Sequence, residues 1–482
     1  MKETMLQYFQ WYSRADGFLY TRLRKAAPLL AQAGFTMIWM PPAYKGASGK
    51  KDTGYAPYDL YDLGEFHQKG AVRTKYGNVR QLQAAVQALH DNHLALIADI
   101  VFNHRMGGDE KERVRVHPKK DANRLEAAGP DFECDLFTRY TFPARSGIYS
   151  DFVWTKDCFK ASDQIRNRER QILLFDGKKW DENVSKEQGS FDYIMGMDVD
   201  TSASFVKDEL YRWGIWFTRR LGVDGYRLDA IKSMDAGFFP GWIAAMRKEA
   251  GAGAFAVGEY WSGNLGELEH YLNASRHCMR LFDVPLHYHF YDCSHSQGSY
   301  DVRKLFEGTL SQAHPEYAVA FVDNHDTQPG QALASWVMDW FKTSAYAMIL
   351  LYKCEVPCVF LGDMSGVRKT HSPKVALLEE MVWIRKNLLS GPVKDLFDQD
   401  PQKACWISLS DHPVLVLFTI GDAKSRSIHF EQLAGLRFED ISRPGHVIGL
   451  DANGNGTFDC QPGCCSIYLL EKDAAWLRQA LY

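Results

Sequence analysis

Short apolar runs alternate with stretches of helical period along the first three-quarters of the chain. Strand-like runs fall at 5–10, 35–40, 94–102, 223–229, 255–259, 278–284, 317–323 and 357–361. Several are apolar throughout, which suits strands of a parallel sheet buried on both faces. Between them the apolar positions recur every three or four residues at 20–33, 79–91, 204–221, 239–250, 265–273, 300–312, 335–352 and 374–389, which predicts helices. Eight strand–helix repeats fit a closed (β/α)8 TIM barrel, an α/β fold. The rhythm breaks after the third strand into about a hundred charged, glycine-containing and aromatic residues. That is too long for an ordinary loop and reads as an inserted domain. From about residue 396 the pattern changes again, to short strands at 404–409, 414–419, 427–430, 446–450 and 465–470 separated by turn signals. An all-β sandwich is expected there. The expected division is 1–103 with 204–395 for the barrel, 104–203 for the insert and 396–482 for the C-terminal domain.

Three of the apolar runs end on a carboxylate: Asp229, Glu259 and Asp326. In a parallel barrel the C-terminal strand ends converge at one mouth, where catalytic groups sit. Three such acids suit cleavage of a glycosidic bond, which needs a nucleophilic carboxylate and a second carboxyl that begins protonated. Arg227 precedes Asp229 by two residues, so strand alternation places both on one face, where a fixed cation would orient the acid. Glu259 follows an apolar strand and precedes Tyr260 and Trp261, an apolar setting that favours the protonated form an acid catalyst requires. His325 precedes Asp326, and His104 stands at the end of the third strand; both offer hydrogen bonds to sugar hydroxyls. A single acid at a strand end is more often a cap or an ion-pair partner, so the weight lies in the set.

Composition adds less. The 482 residues carry a net charge of −4 with both signs mixed, which gives no electrostatic footprint for nucleic acid. Thirteen tryptophans and 23 tyrosines suit stacking on pyranose rings, but they suit a large core equally well. No apolar window approaches the length of a membrane span, and the N-terminal stretch lacks the pattern of a signal peptide. A cytoplasmic location, a monomer, and neither nucleic-acid nor membrane partners are therefore expected. The ten cysteines have no zinc-like spacing, and reduced thiols are expected.

Around the three acids the sequence resembles the α-amylase family of glycoside hydrolases, family thirteen. Asp99-Ile-Val-Phe-Asn-His104, Gly225-Tyr-Arg-Leu-Asp-Ala-Ile-Lys232, Glu259-Tyr-Trp261 and Phe321-Val-Asp-Asn-His-Asp326 are similar to its signature blocks, in order. Further stretches, Tyr58-Asp-Leu-Tyr-Asp-Leu-Gly-Glu-Phe66, Phe282-Asp-Val-Pro-Leu286 and Thr141-Phe-Pro-Ala-Arg145, resemble the bacterial liquefying type and most of all its cytoplasmic enterobacterial branch. The resemblance implies internal cleavage of α-1,4-glucosidic bonds in starch, glycogen and maltodextrins by a retaining double displacement. Asp229 would be nucleophile, Glu259 acid/base and Asp326 transition-state stabiliser. It also implies that Tyr55, His104, Arg227 and His325 surround the sugar being cleaved, with Lys232 and Trp261 on the leaving-group side.

Four acids of the insert, Asp181, Asp192, Asp198 and Asp200, lie near its return to the barrel. By spacing alone they are an acidic solvated loop. The resemblance instead makes Asn103, Asp181, Asp192 and Asp198, with the backbone carbonyl of Ser233, calcium ligands, and assigns Asp200 to an adjoining sodium or second calcium site. Two departures stand out: Ser202 where another Asp is usual, and Ser233 where His is usual, at a position expected to face the leaving-group sugar. Asp451-Ala-Asn-Gly-Asn-Gly456 looks like a calcium loop but has Pro462 where a bidentate Glu is needed, so a hairpin turn is expected. No chloride site is expected, because Asp326 is followed by Thr327-Gln-Pro-Gly330 rather than by an Arg. The triad leaves open a transglycosylase, an α-1,6 hydrolase or a maltooligosaccharide-forming enzyme. A non-catalytic glucan-binding or partner subunit is the reading from another class, and retention of all three acids argues against it.

Overall fold

A computed structural model describes residues 2–166 and 169–482. Eight parallel strands close into a barrel: β1 Met5–Gln7, β2 Met37–Met40, β3 Ala95–Ile100, β4 Gly225–Leu228, β5 Phe255–Gly258, β6 Arg280–Phe282, β7 Ala318–Phe321 and β8 Val356–Phe360. β1 pairs with both β2 and β8, which closes the ring. Nearly every strand residue is buried, which is why these segments read as unbroken apolar runs.

The surrounding helices bury one apolar stripe each. Val79–Asp91 turns Leu82, Val86 and Leu89 inward, and its start is fixed by a capping box between Asn78 and Gln81. Ser204–Leu221 buries Val206, Leu210, Trp213, Phe217 and Leu221, and ends where Gly222 adopts the left-handed conformation. The expected helix at 300–312 is not formed; only short turns occur at Val302–Lys304 and Leu310–Ala313. The helix after β6 is instead Val284–His295. Asp283 caps it by accepting from the Leu286 N–H, and Pro285 lies in its first turn, where a missing N–H costs nothing.

The insert is a six-stranded antiparallel sheet in the order His104–Arg105, Met197–Val199, Phe159–Arg166, Glu169–Phe175, Glu110–Lys120, Phe132–Arg139. Its first and last strands pair with each other, Asp198 opposite His104, and the Val199 N–H donates to the Asn103 carbonyl at 2.9 Å. The outgoing and returning chains are thus tied at the barrel mouth. β3 stops at Ile100, so His104 opens the insert's sheet rather than ending the barrel strand as expected.

The C-terminal sheet runs Val393–Asp395, Lys403–Ser408, Val414–Thr419, Cys465–Leu470, Arg437–Asp440, Val447–Gly449, and a two-stranded ribbon, Lys424–His429 with Asn455–Cys460, packs over it. Ile407, Leu415, Leu417, Phe438, Phe458 and Tyr468 form a second core between the two. The loop 450–454 joins the two sheets, so it is not the turn of a hairpin; Asp451 accepts from the Asn453 and Asn455 N–H groups. The domain is not wholly β. The chain ends in the helix Glu471–Leu481, which buries Ala474 and Leu477 and sets Trp476 edge-on to Trp383 of the barrel at 4.8 Å. All ten cysteines are free thiols. Among the described residues no helix is long and apolar enough to cross a membrane.

Leu477 is buried where the terminal helix meets the rest of the molecule. Leu477→Ala should therefore lower unfolding free energy by ~2–5 kcal/mol, the usual range for emptying a core site. Urea denaturation measures it; an unchanged midpoint would show that the terminal helix is not docked.

Candidate active site

The C-terminal ends of β3, β4, β5 and β7 deliver four carboxyl groups to one place. Asp99 lies on β3 directly opposite Arg227 on β4, so the two side chains share a register position. Asp229 and Glu259 each follow the last residue of β4 and β5, and Asp326 lies on the loop after β7. Arg227 is fully buried and binds three of the four acids. Its Nη1 donates to Asp99 Oδ1 at 2.9 Å and to Asp229 Oδ1 at 2.6 Å, while Nη2 donates to Glu259 Oε2 at 2.7 Å. The Ala230 N–H adds a bond to the same Glu259 oxygen at 3.2 Å. Ala230 reaches that geometry with φ 50°, a left-handed conformation that non-glycine residues seldom adopt outside such sites.

Asp99 is held by aromatic donors as well. Its Oδ2 accepts from the Tyr55 hydroxyl at 2.6 Å and from Trp39 Nε1–H at 2.9 Å. Tyr55 in turn lies parallel to His325 at 4.9 Å and 17°, and Trp11 lies near-parallel to both, 6.1 Å from Tyr55 and 6.2 Å from His325. Gln7 from β1 contacts His325 Nδ1 at 2.9 Å, and His325 Nε2 lies 3.2 Å from Asp326 Oδ2. His104 Nε2 meets the Tyr55 carbonyl at 2.8 Å, leaving its buried Nδ1 without a protein partner. The loop carrying Asp326 is pinned from below. His287 bridges the Val322 carbonyl and the Ser335 hydroxyl, and Lys342 pairs with both Asp323 and Asp363.

One cation among four buried carboxyls leaves negative charge uncompensated, and protonation relieves it. Burial pushes Glu259 up to about 8, and the Asp229 and Asp326 carboxylates add to the rise against the pull of Arg227. Burial likewise moves Asp326 up to about 7 and Asp99 up to about 6. Burial and the nearby guanidinium hold His325 well below its ordinary range, and burial lowers His104, so both rings are neutral. Glu259 is the group that retains its proton to the highest pH.

The other substrate-side candidates lie at the edge of the cluster. Lys232 Nζ is held by Glu187 at 2.5 Å and by the Trp261 carbonyl at 3.1 Å, and Trp261 Nε1–H donates to the Tyr288 hydroxyl at 3.0 Å. Ser233 is buried, with its hydroxyl making no hydrogen bond.

At the insert's base, Asn103 is buried with both carboxamide atoms unpartnered, and Asp198 Oδ2 is likewise buried and unpartnered. These are oxygens of the kind a hard cation takes. Asp181 and Asp192 are occupied differently: Lys160 Nζ donates to Asp181 Oδ2 at 2.7 Å and to both Asp192 oxygens at 2.8 Å. Asp200 Oδ2 accepts from Lys178 Nζ at 2.7 Å, and its Oδ1 from the Ser202 N–H and hydroxyl. Sequence reasoning missed Asp99, although its register opposite Arg227 was readable. It missed Lys160, a lone lysine in a strand, because nothing local marks it.

The family profile "Alpha amylase, catalytic domain" matches residues 27–406. This chain belongs to the α-amylase family. It is 40% identical over 478 residues to an α-amylase of Bacillus licheniformis, covering 97% of this chain and 93% of the relative. It is 38% identical over 491 residues to the cytoplasmic α-amylase of Escherichia coli (strain K12), covering 97% and 99%. Its fold matches the crystal structure of the Geobacillus thermoleovorans α-amylase complexed with acarbose, with a TM-score of 0.63 at 16% identity over 98% of both chains. As a member of the family the chain is a glycoside hydrolase.

Removing Arg227 would strand the carboxylates it binds. Arg227→Met should cost ~3–5 kcal/mol of unfolding free energy, as for other broken buried ion pairs. Denaturant titration at neutral pH reads this directly, and a loss under ~1 kcal/mol would mean the cluster does not depend on this cation.

Proposed function

We propose that this α-amylase family member hydrolyses internal α-1,4-glucosidic bonds of starch, glycogen and maltodextrins with retention of anomeric configuration. The observation that carries the reading is the single guanidinium spanning Asp229 and Glu259, which keeps two carboxyl groups close on one side of the mouth. Close spacing suits direct attack by one carboxylate, whereas an inverting enzyme leaves room for a water between the pair.

In the first step Asp229 attacks the anomeric carbon as Glu259 gives its proton to the departing glycosidic oxygen. Arg227 takes one oxygen of Asp229, so the other is free to bond. In the second step Glu259, now a carboxylate, removes a proton from water, which displaces Asp229 and leaves an α product. Asp326 and Asp99 supply negative charge beside the cationic sugar of the transition state. Tyr55 and Trp11 offer flat faces for a pyranose ring, and neutral His104 and His325 offer polar ring edges to its hydroxyls. Lys232 and Trp261 lie on the leaving-group side.

Calcium is the metal proposed. Asn103, Asp198 and the Ser233 carbonyl, with Asp192 shared, would hold it between insert and barrel, where it would brace the His104 strand. The unpartnered oxygens of Asn103 and Asp198 support this. A cytoplasmic location is proposed from the E. coli relative's name.

Four outcomes test the assignment. Glu259→Gln should cut kcat by ~10²–10⁴-fold, the usual worth of a positioned acid, and Asp229→Asn at least as much. Retained turnover in either folded variant contradicts the roles. In wild type, kcat/KM should fall as pH rises through about 8, where Glu259 loses its proton; a flat profile across that value contradicts the acid's identity. The same raised value makes a stability statement. Glu259's contribution is fully present below its ordinary value of 4.5 and is lost progressively as pH rises from there to about 8, so Glu259→Gln should lose less Tm than wild type between about pH 5 and pH 8. Lastly, the first-formed product should be the α anomer by proton resonance, and an initial β anomer would remove Asp229 as nucleophile.

A further inference from the structure

Most carboxylate oxygens at the insert's base are already engaged by groups of the chain itself. Lys160 extends from the strand Phe159–Arg166, which pairs with Met197–Val199, and its side chain is almost wholly buried. Its ammonium contacts Asp181 and Asp192 and lies 3.9 Å from Asp198. A buried ammonium with carboxylate oxygens at 2.7–2.8 Å is doing for this cluster what a small cation does. A few residues away Lys178 takes one oxygen of Asp200, and Ser202 takes the other. A hard cation seated among Asp181, Asp192 and Asp200 would need six or so oxygens, and five of the six oxygens of those carboxylates, all but Asp181 Oδ1, are engaged by lysines and a serine. It would also sit against a fixed positive charge. The Asn103 side differs, because Asn103 Oδ1 and Asp198 Oδ2 there are buried and accept no hydrogen bond, although that Oδ2 lies 3.9 Å from the Lys160 ammonium.

We propose that Lys160, seconded by Lys178, is a built-in cation that replaces the adjoining sodium or second calcium, so that the insert is braced by at most one metal ion. The sodium or second calcium expected at Asp200 therefore does not fit these residues. The inference rests on the calcium reading of the same site only for the ion at Asn103; the lysine's role stands without it. Its consequence is a chain whose insert depends less on free metal than a cluster of bare acids would.

Metal content and melting temperature test this in the purified full chain. After dialysis into metal-free buffer and back into calcium, wild type should hold no more than one calcium by elemental analysis. One ion supports both readings. None supports the lysine's role and overturns the calcium reading at Asn103. Two or more overturn the lysine's role. Lys160→Asp adds a carboxylate to Asp181, Asp192 and Asp200, and it should bind one more calcium than wild type and melt at a temperature that rises with calcium concentration. The same metal content as wild type, in a folded Lys160→Asp protein, would overturn the proposal. Should that variant not fold, Lys160→Met serves. It should melt below wild type in chelator and recover part of the loss in calcium or sodium, and a melting temperature equal to wild type's in chelator would overturn the proposal.

Discussion

Arg227 is the interaction on which the site depends. A fully buried guanidinium is costly unless acceptors meet its donors, and here Asp99, Asp229 and Glu259, from three neighbouring strands, accept from its two terminal nitrogens while Nε has no partner. The barrel makes this possible because parallel register sets Asp99 opposite Arg227, and the next strand ends one residue before Glu259. The converse dependence matters as much. Without the cation, four carboxyls could not be gathered in so dry a place. With only one, some must keep a proton. The protonation of Glu259 is therefore a product of charge balance at the mouth: burial and the acids around it outweigh its contact with Arg227.

The insert's base is built by the same physics with a different remedy. Four acids are brought together where the chain leaves and re-enters the barrel, pinned by the pairing of Asp198 with His104. There the excess is met by Lys160 and Lys178. Because His104 lies on the pinned strand and contacts the Tyr55 carbonyl, the order of the insert bears directly on the geometry of the sugar site. Stability of the insert and precision of the mouth are thus coupled through a few residues.

Much of the fold was legible in the pattern of apolar positions. The helices Val79–Asp91 and Ser204–Leu221 have the bounds that their periodicity predicts, because each has a clean apolar stripe and a clear start or stop. The strand-end acids were legible for a similar reason: in a buried parallel strand a carboxylate interrupts an otherwise apolar run. Val284–His295 was missed because its tyrosines, histidines and aspartate are packed around most of its circumference and leave little contrast between faces. The terminal helix was missed because the five strands expected before it set the expectation, although Ala474, Leu477 and Leu481 carry helical spacing. The companions of the site were the least legible. Trp39, Gln7 and Lys160 act through distant partners, and no local pattern reports a contact made across 60, 318 or 32 residues of chain.

The central claim is that Asp229, oriented by Arg227, is the nucleophile in a covalent step assisted by Glu259. The most direct measurement is to trap that step. The full chain would be incubated with a fluorinated α-glucosyl fluoride that forms the intermediate faster than water releases it. The protein would then be digested and the labelled peptide located by mass spectrometry. The account predicts one glucosyl group on the peptide carrying Asp229, absent in Asp229→Asn. A label on Glu259 or Asp326 instead, or turnover with no covalent intermediate on any carboxylate, would contradict it.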